Sequence, residues 1–438
     1  MAQKKKKNKK KQQQPQQPQK YRGNLGSKTS FDKAYTAIQK VLRAYGFDPG
    51  LLNVFSKQQR RFFCFLKAEP PRFKVEEGSQ VPRRLLDFAS ETAHRFMRTH
   101  YFGDESIGLT YLELVTYGYA FMAIVVSDVE NTAYSPEQLK IINLIADCFE
   151  DNRIERDLTP VGTHIRKTMM MLSKVNFRIY GYTWNIGTPS GDGYLRSMVY
   201  MSSEEAKVIR FTYNNKERIA FRVRAGRVID EPPHDAIIDR WFVYQKEMHP
   251  IVYLDIYIQS HALQRSKERM DIFPAHKRNF YIMEPLLYMQ RVAKSPTGRP
   301  MLECYTQEGN KNKIVRFGYF PFIVRDNKLI VMTFLPLTSP DTTEGDYLQK
   351  NLGLQIEDTK FLGMDKLSFF LTVDFEQIPI LKKALVITNI WNLIQYAKKD
   401  PDLNFSIDQK KTQMVKKFFE QKIDNESEPE PFYSDMEE

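Results

Sequence analysis

The 438 residues are 42% hydrophobic and 13% aromatic, enough to bury a substantial core; this excludes a chain disordered throughout and fits two or three globular units. Lys and Arg number 65 against 53 Asp and Glu, and with residues 1–20 and 424–438 set aside the body still carries a formal +11, so an anionic partner is expected. Three widely separated cysteines, Cys64, Cys148 and Cys304, exclude a disulfide framework and a paired-cysteine metal knuckle.

Residues 1–28 combine Lys, Gln and Pro with almost no apolar side chain, which predicts a disordered basic arm. Its Lys run leads into QQQPQQPQ rather than an apolar stretch, so secretion is not expected. Residues 29–174 show apolar side chains at helical spacing and few β-branched runs, predicting an all-helical domain. Its most apolar window, Tyr117 to Val126, is half the roughly 20 residues a helix needs to span a bilayer. A cytoplasmic chain with no membrane partner is therefore expected. The clearest helix start is Ser135-Pro136-Glu137-Gln138: Ser caps, Pro occupies the first helical position, and Gln reaches back. Ile141, Ile142, Ile145, Cys148 and Phe149 then form its core stripe.

Asp147, Asp151 and Glu155 recur every four residues, but Glu150, Arg153 and Arg156 interleave and no His joins that face. The pattern reads as a solvated ion-pair face, and neither a metal nor a cofactor is expected. His94 and His100, six residues apart, point to different sides of a helix. Gly187 to Gly193 lacks the Lys and the following helix of a phosphate-binding loop.

Residues 175–385 predict a β-rich α+β domain. Val208–Tyr213 and Arg218–Arg224 alternate around Asn214-Asn215-Lys216 as a hairpin. Ile219, Phe221 and Val223 are expected inward, with Arg218, Ala220, Arg222 and Arg224 outward. Ile251–Ile258 reads as a strand, Ser260–Met270 as a helix capped by Ser260, and residues 275–292 as a further helical stretch interrupted by Pro285. Strands return at Ile314–Tyr319 and in the hairpin Phe322–Arg325 with Lys328–Phe334, and Leu367–Phe375 is expected to add another. Helical pattern resumes near Pro379, predicting C-terminal helices over 386–423, the last opening at Ser406. Residues 424–438, with seven acids and no base, predict a disordered acidic tail. The fold class is thus α+β: an N-terminal all-helical domain, a mixed, mainly antiparallel sheet domain, and C-terminal helices.

Two groups carry chemistry. On the predicted helix after Ile258, His261, Arg265, Glu268 and Arg269 fall on one face by the three-and-four spacing. A neutral imidazole there can take a 2′-hydroxyl proton while the Arg side chains stabilise charge on the phosphate, the parts of a metal-independent RNase. The bland alternative is a solvated Glu268–Arg265 pair. Separately, Arg210, Arg218, Arg222, Arg224 and Arg227, near Tyr200, Phe211 and Tyr213, have the cations and ring faces of a nucleic-acid platform.

The residues His261, Ala262, Leu263, Arg265, Glu268, Arg269 and Ile272, followed by the strands of 314–334, resemble a family of small bacterial domains likened to the barnase and RelE-type toxin nucleases. The likeness covers roughly 85 residues; Met270-Asp271 stands where such domains often carry Gly, and the insertion to Glu303 is long. It implies an RNA-directed, toxin-like nuclease or an inactive relative of one. The reading from sequence is a nucleic-acid-associated protein with RNA as favoured partner. The alternative is a non-enzymatic interaction or scaffold module whose helical domain binds a protein and whose charged tails keep it soluble. The two separate on whether the arginine strand face and the His261 helix line one continuous groove.

Overall fold

A computed structural model of the chain describes residues 28–64, 67–127, 134–147, 156–189, 195–223, 236–237, 253–288, 291–308, 313–326, 328–400, 402–403 and 405–423. Residues 1–27 of the basic arm, the acidic tail, Cys148, Phe149, Asp151, Glu155, Arg224 and Arg227 lie outside the described residues. The chain is α+β, with helices first, a mixed sheet in the middle and helices last. It divides into two compact units, one built from Met1–Ala68, Tyr101–Asp151 and Gly191–Tyr194, the other from Glu69–His100, Asn152–Ser190 and Leu195–Glu438.

The first unit is helical. In α1 (Lys28–Ala44), Ala34, Ala37, Ile38, Val41 and Leu42 are buried, a stripe at the three-and-four spacing. In α2 (Lys57–Phe63), Ser56 accepts from the Gln59 amide while Gln59 bonds back to Ser56, closing a capping box. The apolar window falls in a π-helical turn, Leu114–Gly118, and in Tyr119–Ser127. In the latter Tyr119, Ala120, Phe121, Met122, Ile124 and Val125 are all buried, as an all-round apolar helix must be. The predicted start at Ser135 is a second capping box, opening Pro136–Ala146 with Ile141, Ile142 and Ile145 buried. No helix among the described residues is long and apolar enough to cross a membrane.

The second unit carries two sheets. β1 (Arg72–Val75) runs parallel to β3 (Leu195–Glu205), which pairs antiparallel with β2 (Arg178–Pro189). The larger sheet has the order β4 (Val208–Tyr213), β5 (Lys216–Arg222), β7 (Tyr253–Gln259), β11 (Lys328–Val331), β10 (Lys313–Arg325), β9 (Pro300–Glu308) and β8 (Val292–Lys294). Short strands β6 (Ala236–Ile237) and β12 (Leu335–Pro336) join at β7 and β10. Only the β7–β11 pair in this sheet is parallel among the described pairings. Asn214 and Asn215 both take positive φ, 51° and 58°, closing the predicted β4–β5 hairpin by a two-residue turn whose twist suits the strands. The two strands expected over 314–325 are one, bulged between Arg316 and Gly318. At Gly318 a Cβ would lie 2.3 Å from the Leu335 carbonyl oxygen, so only glycine lets β12 approach.

The core lies between this sheet and its helices. Phe317 packs against Phe273, Tyr281 and Tyr396 at ring separations of 5.3, 4.4 and 6.0 Å. Tyr281 and Tyr396 hydrogen-bond through their hydroxyls at 2.9 Å. One correction concerns Leu367–Phe375: it is not a strand but a helix, Leu367–Thr372, and a 3-10 turn, Phe375–Gln377. Helical structure returns not near Pro379 but at Thr343–Leu352, and the last helix opens at Gln409 rather than Ser406, running to Ile423.

Burial raises the Glu284 carboxyl to about 7, with the charge of Lys167 opposing. Its folded pKa exceeds the ordinary 4.5, so its contribution to stability is complete below pH 4.5 and lost as pH rises through about 7. Glu284→Gln is therefore expected to flatten the fall in melting temperature across that window and to raise the melting temperature at pH 8. A parallel pH profile for the variant would contradict this.

Candidate functional site

β7 delivers the chain directly into the helix Ser260–Arg269, here α3 after α1 and α2. Gln259, not Ser260, is the residue before the first turn, and it provides no side-chain cap; Ser260 is already helical. Gln259 is buried and its amide turns to the Met332 sulfur at 2.9 Å. Ala262 and Ser266 face the core, and Ser266 bonds back to the Ala262 carbonyl at 2.7 Å. This rotation brings His261, Arg265 and Glu268 to the outer side, in the spacing the sequence predicts, and turns Arg269 inward.

The four residues then part in role. Arg265 meets Glu268 at 3.0 Å, and Gln264 donates to the other Glu268 oxygen at 2.8 Å. These bonds, Gln264 first, hold the Glu268 carboxyl below its ordinary range, so it stays an anion. Arg265 nonetheless remains 42% exposed, with donors left over for a second acceptor. Arg269 is mostly buried; it donates to the Phe334 carbonyl and lies 4.0 Å from Asp365, tying α3 to the turn after β11. His261 is exposed at the start of the helix and hydrogen-bonds to no described residue. Partial burial first, then the positive charges of Arg265, Arg218 and Arg269, lower its pKa, with Glu268 opposing. At neutral pH it is an uncharged imidazole with both nitrogens open to solvent or substrate.

The expected arginine face is divided by the strand register. Arg218 and Arg222 share one face of β5 with Ala220; Arg210 pairs across from Ile219 and belongs to the other face. There Arg210 meets Glu217 at 3.3 Å, both largely exposed. Arg222 is closed into an ion pair with Asp255 of β7, beside Tyr257. Tyr200 stands in the smaller sheet, away from the hairpin's own strands. Val223 is buried and Phe221 packs on the main core as expected, but Ala220 is buried and Ile219 is 37% exposed, against expectation. The cause is a second apolar layer: Ile209, Phe211, Ile323 and Met332 close over Ala220, Tyr257 and Ile330. Arg325 fastens that closure by donating to the Thr212 carbonyl at 2.9 Å. The face is thus apolar at its centre with arginines at its border, not an open cationic platform.

At that border Arg218 comes within electrostatic reach of His261. Its Nε is buried with no hydrogen-bond partner among the described residues. An unpaired guanidinium N–H costs on the order of 1–3 kcal/mol, and an anion recruited beside it recovers that cost. The candidate site is therefore His261 and Arg265 from α3 and Arg218 from β5, with Glu268 bonded to Arg265.

The structure also places a group that sequence reading missed. Glu303, fully buried on β9, meets Arg291 at 2.7 Å and Arg316 at 3.2 Å. Arg316 lies 3.6 Å from Glu344, 3% exposed, which accepts from the Tyr319 hydroxyl at 2.8 Å. Burial raises Glu344; burial would lower Arg316, but the charges of Glu303, Tyr319 and Glu344 raise it. The available signal was one Glu inside the uninterrupted run Met301-Leu302-Glu303-Cys304, where every side chain is buried. No family model, curated protein or solved structure matches the chain.

Proposed function

We propose that the chain binds nucleic acid, RNA in preference, at the start of α3, and that His261 there acts as a metal-independent general base toward the 2′-hydroxyl. One observation carries this reading: an un-hydrogen-bonded, neutral His261 stands among the charges of Arg218 and Arg265, on two different elements. A phosphate between these guanidiniums would also meet the N-terminal amides of α3, which favour an anion. The same helix end disfavours the imidazolium, which suits a base rather than an acid. The localisation that accompanies this reading is the cytoplasm.

Binding is checked by titrating a labelled single-stranded RNA at several salt concentrations. Affinity is expected to fall steeply with salt as neutralised phosphates release counterions. Arg218→Ala should weaken binding and reduce the log–log salt slope by about one unit, the signature of one lost phosphate contact. Arg210→Ala, on the opposite face and paired with Glu217, should change neither quantity. Equal slopes for the Arg218 variant and the parent would remove Arg218 from the interface.

A further inference from the structure

Away from His261, a cleft of roughly 530 Å³ opens between Asp271, two residues beyond α3, the helices Ile356–Leu362 and Leu367–Thr372, and the start of Gln409–Ile423. Lys360, Lys366, Lys410 and Lys411 line it, with Phe361 and Met414. Its two carboxylates are already committed. Asp271 accepts from the Ser368 amide at 3.0 Å and its hydroxyl at 2.6 Å, and Asp408 accepts from the Lys411 amide at 3.0 Å. None of the four ammonium groups meets a carboxylate within ion-pair distance among the described residues. Lys411 instead lies over the Phe369 ring at 5.1 Å, and burial lowers its pKa despite Asp271 and Asp408. Phe361 is 70% exposed and Met414 38%, an apolar patch set among cations.

Such a cleft fits an anionic segment that also brings an aromatic ring. Residues 424–438 of this chain have that composition: Asp424, Glu426, Glu428 and Glu430 precede Phe432-Tyr433, and Asp435, Glu437 and Glu438 follow, with no base. Reach permits the encounter. Lys411 lies about 18 Å along the helix from Ile423 at 1.5 Å per residue, and the nine residues from Ile423 to Phe432 extend up to about 30 Å. Tethering also supplies a local concentration on the order of millimolar, so a weak contact is enough. We propose that the acidic segment 424–438 occupies the lysine-lined cleft of its own chain, with Phe432 or Tyr433 on Phe361 and Met414 and its carboxylates on the lysines.

The test is zero-length carbodiimide crosslinking of the full chain, read by mass spectrometry on an equal mixture of isotope-labelled and unlabelled protein. Expected are links from carboxylates of 424–438 to Lys360, Lys366, Lys410 or Lys411, within one isotope class. Phe361→Ser leaves every amine in place and should lower their yield severalfold, as should added salt. Links scattered over lysines elsewhere, or an absence of links from the segment, would overturn the proposal. Links mixing the two isotope classes would assign the cleft to a second copy, and a photoreactive RNA labelling Lys410 and Lys411 in its place would assign it to nucleic acid; either result overturns it.

Discussion

Replacing Arg316 by Met is expected to cost about 3–5 kcal/mol of stability at neutral pH, the usual consequence of removing one partner from a buried ionic group. Arg316 is the cation that touches both Glu303 and Glu344, carboxylates with 0% and 3% exposure. Arg291 also meets Glu303, but no other described cation forms an ion pair with Glu344. Without Arg316, Glu344 must ionise in an apolar surrounding or take a proton, and one Glu303 oxygen already lacks a hydrogen-bond partner. The sign of the pH dependence follows. Burial raises the Glu344 pKa above the unfolded one, so this carboxyl favours the folded state at low pH and loses that contribution as pH rises. The variant should recover part of its deficit on moving from pH 7 to pH 5. Urea melts at the two pH values check this, and a deficit under 1 kcal/mol at pH 7 would show that the network is not needed to hold the strands and the Thr343–Leu352 helix together.

The parts of this architecture that the sequence displays are those with local causes. The Ser135 capping box, the Asn214-Asn215 turn and the β10–β11 hairpin are each specified by residues within a few positions of one another, and they form as expected. The helix after β7 was legible for the same reason, down to the face that holds His261 and Arg265. Failures occur where burial on all sides erases periodicity. Leu367, Phe369, Phe370 and Leu371 are all buried, and a helix of six residues is too short for its one polar pair, Ser368 and Thr372, to mark a helical period, so it reads like a strand. Ala220 is buried because a second apolar layer, Ile209, Phe211, Ile323 and Met332, covers a face that composition alone would place outside. Arg269 was legible as a cation on the right face; its engagement with the Phe334 carbonyl, 65 positions away, was not. Arg218 was chosen for a strand face, and only the tertiary arrangement brings its charge to His261.

The second large effect concerns chemistry. His261→Ala is expected to lower RNA cleavage by about 10²–10⁴-fold, the usual contribution of a positioned general base. Its effect on RNA affinity should be small, because an uncharged imidazole contributes chiefly in the transition state. In the parent, the acid limb of the pH–rate profile should lie below 6.5, since burial and the neighbouring arginines lower this imidazole. Arg265→Ala should weaken binding and cleavage together. Arg269→Ala should instead lower thermal stability, in keeping with its anchoring bonds.

The decisive measurement is the cleavage of end-labelled RNA, and of DNA of the same sequence, by the purified chain and by its His261→Ala variant without added metal. The account predicts RNA products ending in a 2′,3′-cyclic phosphate from the parent, almost none from the variant, and no reaction on DNA, which lacks the attacking hydroxyl. Equal cleavage by the variant, or no cleavage of several RNAs by the parent, would contradict it.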